Sequence, residues 1–202
     1  MEELLKKLES NGMKAFYLSN RGAAKDQILN MIPTTSSVGI GGSVTVREMG
    51  LLDGLAGRGT EYFDHWKSGL SKEEIMAVKR KQVVADYFLT STNAITRGGK
   101  LVNMDNTGNR VAAMIFGPRH VIVVAGENKI VDDVPAAIKR IKEKVASRNT
   151  SRRGDRTPCA QGEPCPDCNS PDRLCRVTSI IEKKTKGVET FTVIIVGEAL
   201  GY

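Results

Sequence analysis

Cys159, Cys165, Cys168 and Cys175 are the only cysteines of the chain, and they share one segment with the spacing C-x5-C-x2-C-x6-C. The chemistry open to such a set is metal ligation. The central Cys-x-x-Cys chelates one ion, and the flanking cysteines complete a tetrahedral four-sulfur set of the kind zinc accepts. A four-iron cluster also takes four thiolates, with looser demands on spacing. Arginines on either side favour the thiolate form and offset the charge of a four-thiolate site. The alternatives are two disulfides, disfavoured in a reducing compartment, or four free thiols. The sequence predicts a metal site on these four residues, with zinc and an iron–sulfur cluster both open.

A second candidate is the stretch VGIGGSVTVREMG, residues 38–50. An apolar run meets two glycines and a serine, and Thr45 and Glu48 stand at capping-box spacing. That places a helix start just after Thr45, with Gly41, Gly42, Ser43 and Val44 in the turn. The first N–H groups of a helix lack internal partners, and with the helix dipole they favour an anion. The competing reading is a tight turn in which Ser43 serves only the backbone. Glu48 reads as a cap rather than a catalytic carboxylate.

The third candidate is TSTNAITRGGKLVNMDNTGNR, residues 90–110, dense in small polar side chains. Gly98-Gly99 between two strand-like runs reads as a hairpin turn. Arg110 suits bidentate pairing with a carboxylate or phosphate, and Asn109 suits a supporting role. Two ordinary turns and a surface arginine are the plain alternative. Both histidines are read as non-catalytic: His65 as a half-exposed loop residue and His120 as the start of a strand.

The elements that must position these groups alternate between helix and strand. Leu4, Leu5 and Leu8 mark an opening helix closed near Asn11-Gly12, and KAFYLS (14–19) reads as a strand. A helix over 21–32 stops at Pro33, and SVGIGG reads as a buried strand. SKEEIMAVKRKQVVA (71–85) is a helix whose Ser71 and Glu74 form a capping box. Strands follow at 86–91, 100–104 and 120–126, then a helix over 132–147 with Pro135 in its first turn, and a final strand within 190–202. Residues 148–173 read as neither helix nor strand. The alternation predicts a mostly parallel sheet with helices on both faces, in a single domain over 1–202 that contains a basic cysteine-rich segment at about 148–176.

The formal charge of +7 is concentrated. Lys139 to Lys186 holds 13 basic and 6 acidic residues, so the remainder is neutral. Only 5% of the chain is aromatic, and no aromatic lies within this basic segment, so stacking on nucleic acid is disfavoured. No apolar run approaches the roughly 20 residues of a membrane span. The N-terminal MEELLKKLES lacks the apolar core of a signal peptide. A cytoplasmic location, no membrane and no nucleic-acid partner are expected.

GGSVTVREMGLLDGL, ADYFLTSTNAITRGGKLVNMDNTGNRVAAMIFGPRHVIVV and VIIVGEALGY together resemble the LUD domain family of lactate-utilisation proteins, in its stand-alone bacterial branch. The resemblance implies a three-layer αβα fold of the NagB/RpiA/CoA transferase-like type. It implies that Gly41, Gly42, Ser43 and Thr45 contact phosphate, sugar or CoA, and it includes the Gly108-Asn109-Arg110 loop. The expected ligand site is Gly41, Gly42, Ser43, Thr45, Asn93, Gly108, Asn109 and Arg110. The expected function is binding of a small anionic metabolite by an accessory or electron-transfer subunit of lactate or organic-acid utilisation. Iron–sulfur proteins are its expected partners, and a homo-oligomer is kept open. The alternative is a stand-alone enzyme acting on a sugar phosphate or CoA-type ligand, although neither the acid motif of ribose-phosphate isomerases nor the glutamate motif of CoA transferases is present.

Overall fold

In the computed structural model, which describes residues 1–202, helices and strands alternate along most of the chain. Ten strands form: β1 Lys14–Leu18, β2 Val38–Ile40, β3 Tyr62–Asp64, β4 Tyr87–Thr90, β5 Ala94–Thr96, β6 Leu101–Asp105, β7 His120–Gly126, β8 Ile130–Val131, β9 Val177–Ile181 and β10 Thr190–Val196. The helices are α1 Glu2–Ser10, α2 Arg21–Met31, α3 Val44–Glu48, α4 Leu51–Gly57, α5 Lys72–Val83, α6 Asn109–Ile115, α7 Val134–Arg140 and α8 Ala146–Arg153. Local signals account for several boundaries. Asn20 caps α2 by accepting from Ala23 N–H, and Ser71 with Glu74 closes a reciprocal capping box on α5.

Six strands make a wholly parallel sheet in the order β1-β10-β7-β4-β2-β3. Its central strands are largely apolar yet still sort by period two. On β7, Val121, Val123 and Ala125 join one core, while Ile122 and Val124 join the other. Phe191, Val193 and Ile195 of β10 follow the first, and Ile194 and Val196 the second. The second face is covered by α2, α3 and α4 through Ile28, Val46, Leu51 and Leu55. The first face meets α1, α6 and a smaller sheet through Leu8, Met114, Ile95 and Leu101. Helical layers on both sides of a parallel sheet give the expected αβα arrangement.

The smaller sheet, β8-β5-β6-β9, was not foreseen beyond its hairpin. β5 and β6 pair antiparallel across Gly98-Gly99, with Gly99 at φ +76°. The outer side of this sheet packs Ala94, Val102 and Met104 on Ala137, Ile141 and Val145. Those last residues belong to one long helical rod: α7, a single π-helical stretch Ile141–Val145, then α8. The rod therefore runs past 147, and residues 148–153, read as irregular from the sequence, are helical. Ala146 and Thr150 bury one side of this extension, and Gly154 at φ +72° ends it. No helix is long and apolar enough to cross a membrane.

Candidate functional site

A cleft of about 660 Å3 opens where the parallel strands end. Gly42 and Ser43 follow β2, His65 and Trp66 follow β3, Ser91 and Thr92 follow β4, and Lys129 follows β7. The carboxyl ends of parallel strands are where open α/β sheets usually hold ligands. Of the eight residues expected from the sequence, Gly42, Ser43, Thr45, Asn93, Asn109 and Arg110 border this cleft, and Gly41 and Gly108 do not. Gly41 has a packing reason instead, since a Cβ there would stand 2.4 Å from the Thr90 hydroxyl. Gly108 is the left-handed residue, φ +85°, from which α6 starts.

The turn after β2 differs from its sequence reading in one respect. The cap of α3 is Ser43, whose Oγ accepts from Val46 N–H at 3.2 Å, and the helix already starts at Val44. Thr45 is inside it. Glu48 does not close a box with Thr45 but accepts from Gly201 N–H at 2.7 Å. A local T-x-x-E pattern lost to a serine two residues earlier and to the returning tail. With only five residues, and one free N–H already taken by Ser43, α3 offers little dipole of its own.

Charge in the cleft comes from side chains. Lys129, 4% exposed, donates to Thr45 Oγ1 at 2.8 Å, Ser91 Oγ at 2.9 Å and the Thr92 carbonyl at 3.3 Å. No carboxylate lies within 4.0 Å of it. Burial pushes its ammonium down to about 7, with Arg140 and Arg110 adding repulsion. Arg110 is held by Asp105, by Asn93 Oδ1 at 2.9 Å and by the Met104 carbonyl at 3.0 Å. Its Nη1 has no protein partner. Asn93 Oδ1 also accepts from Met104 N–H at 2.9 Å, which fixes the amide and leaves its nitrogen for the cleft.

His65 is held just as tightly. Gln82, fully buried on α5, donates its amide nitrogen to the Ile40 carbonyl at 2.8 Å and the Phe63 carbonyl at 3.0 Å. Two carbonyls accept only, so the amide orientation is fixed. The same nitrogen faces His65 Nδ1 at 2.9 Å, and its oxygen accepts from Asn109 at 3.3 Å. An amide nitrogen cannot accept, so His65 Nδ1 shares one of the two amide hydrogens with a carbonyl. Burial first, then Lys79, push its pKa down to about 4.

Six cations border the cleft: Lys67, Lys79, Arg110, Lys129, Arg152 and Arg153. The one acidic side chain there, Asp105, is paired with Arg110. Arg153 pairs with Asp155 at 3.0 Å. The other four have no carboxylate partner. Burial and Arg153 lower Lys79 from its ordinary value. Two guanidinium groups stand over Trp66, Arg47 at 4.6 Å and Arg152 at 4.3 Å from the ring centre. Arg47 is anchored by both oxygens of Asp64, at 2.6 and 2.7 Å. His120 is at the opposite end of β7, against Tyr87 and the Thr190 hydroxyl.

The cysteines form no disulfide, and no three acidic, histidine or cysteine side chains stand ready to hold a metal ion. All four nevertheless border one small cavity next to the cleft. Burial raises the Cys175 thiol, and Cys165 and Cys159 raise it further.

The architecture is that of a three-layer αβα protein with a cationic cleft at the carboxyl edge of its parallel sheet. The LUD domain matches residues 1–196. The chain belongs to the LUD domain family. A solved structure of similar fold is the crystal structure of a DUF162 family protein from Deinococcus radiodurans, 16% identical, with a TM-score of 0.55 over 97% of this chain and 95% of that one. No curated protein matches the sequence.

Lys129, Gln82 and Trp66 were missed from the sequence. Lys129 carries one signal, its place three residues beyond the apolar run HVIVVAG that forms a central strand. Gln82 and Trp66 gain their roles only from the packing of α5 and α8 around them.

Proposed function

We propose that this LUD domain binds a small anionic metabolite in the cleft, as an accessory or electron-transfer subunit in lactate or organic-acid utilisation. The observation that carries this reading is the charge imbalance: four cations without a carboxylate partner in one concave site. Such an excess costs repulsion unless an anion offsets it. Arg110 Nη1 and the Asn93 amide nitrogen are donors with room to reach a carboxylate or phosphate, and Lys129, its three N–H bonds already spent on Thr45, Ser91 and Thr92, adds positive charge at the cleft wall. Thr45 supports the reading indirectly, by accepting from the Lys129 ammonium. The family's association with lactate utilisation selects 2-hydroxy and 2-oxo acids as the first class to try. Iron–sulfur partner proteins would then supply or receive electrons.

One observation favours the second reading, a stand-alone enzyme for a sugar phosphate or CoA-type ligand. A cleft of about 660 Å3 is in the range that holds drug-sized ligands and exceeds what a three-carbon acid fills. Lys129, with a pKa near neutrality, and a neutral His65 are suited to moving a proton there. Calorimetric titration with L-lactate, pyruvate, ribose 5-phosphate and CoA separates the two. Preferred binding of the three-carbon acids with no turnover by the purified chain supports the first. Preferred binding and turnover of a phosphorylated ligand supports the second, and binding of none overturns both.

A further inference from the structure

Three separate pieces of chain bring four cysteines to the walls of one cavity of about 20 Å3. Cys159 comes from the short 3-10 turn Pro158–Gln161, Cys165 and Cys168 from the Cys-x-x-Cys turn, and Cys175 from just ahead of β9. Arg173 ties the Asp167-Cys168 turn to Cys175. Its guanidinium donates to the Cys168 carbonyl at 2.7 Å, the Cys175 carbonyl at 2.9 Å, the Asp167 carbonyl at 3.0 Å and the Asp167 carboxylate at 2.6 Å. Asp167, at φ +54°, is the one non-glycine residue in the left-handed region, which tightens the turn between Cys165 and Cys168. Cys159 is tied to α8 through the Ser147 hydroxyl on its carbonyl at 2.8 Å. The Thr157 and Thr150 hydroxyls lie 3.3 and 3.7 Å from its sulfur.

The backbone of this loop is thus shaped by polar contacts into a form that sets all four cysteines around one cavity, with Cys159, Cys168 and Cys175 half-buried and Cys165 exposed. Little apolar burial backs it: Leu174 is the only buried residue between Pro158 and Arg176. A loop so built gains its remaining order from a ligand that four sulfurs can share.

The cavity also has a defined neighbour. Ala146 and Leu174 border both it and the cationic cleft. One side of α8 presents Ala146 and Thr150 to the thiols, and another presents Asn149, Arg152 and Arg153 to the cleft.

We propose that Cys159, Cys165, Cys168 and Cys175 form a four-thiolate centre for a thiophilic metal, one zinc(II) ion or one four-iron cluster, and that loading it fixes the α8 wall of the cleft. Zinc replaces four S–H bonds by four S–Zn bonds and releases four protons. A preformed cluster exchanges its four external thiolate ligands for the four cysteine thiolates, and the displaced ligands leave as thiols carrying the cysteine protons. Neither step changes an oxidation state. The four sulfurs draw closer on loading, since no three of them already stand in an ion-binding set. The centre does not depend on which anion the cleft takes.

The test uses the full chain, purified without oxygen, with metal analysis and an absorption spectrum taken at once. The metal-free reduced chain is then titrated with zinc(II) and, separately, cobalt(II). The centre predicts one zinc or four irons per chain, protection of all four thiols from alkylation, and the visible spectrum of a tetrahedral cobalt tetrathiolate. Iron with sulfide and a broad visible absorption identifies the cluster, and zinc alone identifies the mononuclear site. Cys168→Ser should weaken zinc at least a hundredfold, with an unchanged far-UV spectrum showing that the sheet still folds. Trp66, the only tryptophan, reports on the wall because Arg152 stacks on it. Its emission should shift on loading. Substoichiometric metal, or fewer than four protected thiols, overturns the centre. Full loading with unchanged Trp66 emission overturns the coupling.

Discussion

The cleft and the cysteine loop are neighbours built on opposite principles. The cleft's polar groups are over-determined by the packed sheet beneath them: Gln82 is pinned by two carbonyls and a histidine, and Arg110 by a carboxylate, an amide and a carbonyl. The loop carries almost no apolar burial and takes its shape from scattered polar contacts, the densest of them made by Arg173. Pre-organisation in the cleft costs the charges their freedom and leaves cations in excess. In the loop, the sulfurs are gathered but not locked.

The largest effect should come from breaking the cleft's support. Gln82→Leu leaves the Ile40 and Phe63 carbonyls and His65 Nδ1 without their shared donor, and urea denaturation should show a loss of about 3 kcal/mol. A loss under about 1 kcal/mol would mean that water replaces the amide and that this region is no better determined than the loop.

The pH dependence of stability sharpens the same point. His65 sits at about 4 folded and at its ordinary 6.5 unfolded. Between these values the unfolded chain holds the extra proton, so stability falls as pH drops from 6.5 to 4 and is unaffected by this group above 6.5. The window should be worth up to about 2 kcal/mol, allowing for partial solvent screening. His65→Phe should flatten it, as read by denaturation midpoints across the window.

Lys129→Met keeps the volume but removes the buried charge and its donors to Thr45 and Ser91. Anion affinity near pH 6 should fall about tenfold or more, equivalent to about 1.4 kcal/mol. Unchanged calorimetric affinity would place the anion elsewhere in the cleft.

Arg173→Ala should have the smallest effect on global stability, under about 1 kcal/mol, because the parallel sheet does not rest on the loop. Trypsin should nevertheless cut faster between residues 154 and 176. Equal loss of stability and protection throughout the chain would erase the distinction between the two regions.

Much of this was legible because the signals were local. The apolar runs of β4, β7 and β10, the Ser71 box and the Gly99 hairpin are each complete within a few residues. Asn93, Asn109 and Arg110 could be picked out by composition, and the fold then sets them on the wall of the cleft that the turn after β2 also borders. The start of α3 was misread because Ser43 and Thr45 offer rival caps, and the choice depends on Gly201, some 150 residues later. Lys129 was invisible for a similar reason: a lysine after a strand is ordinary until Thr45, Ser91 and Thr92 close around it. β9 was missed because its pattern is largely exposed, and β8 because it has only two residues.

The most direct test is calorimetric titration of the wild-type chain with pyruvate and with ribose 5-phosphate at about pH 6 and about pH 8, in two buffers of different ionisation heat. An anion beside Lys129 favours its charged form, whose pKa of about 7 falls between these conditions. The account predicts tighter binding at the lower pH, with net proton uptake at about pH 8 that disappears in Lys129→Met. Absence of binding by both anions, or affinity and proton balance that do not change with pH, would contradict it.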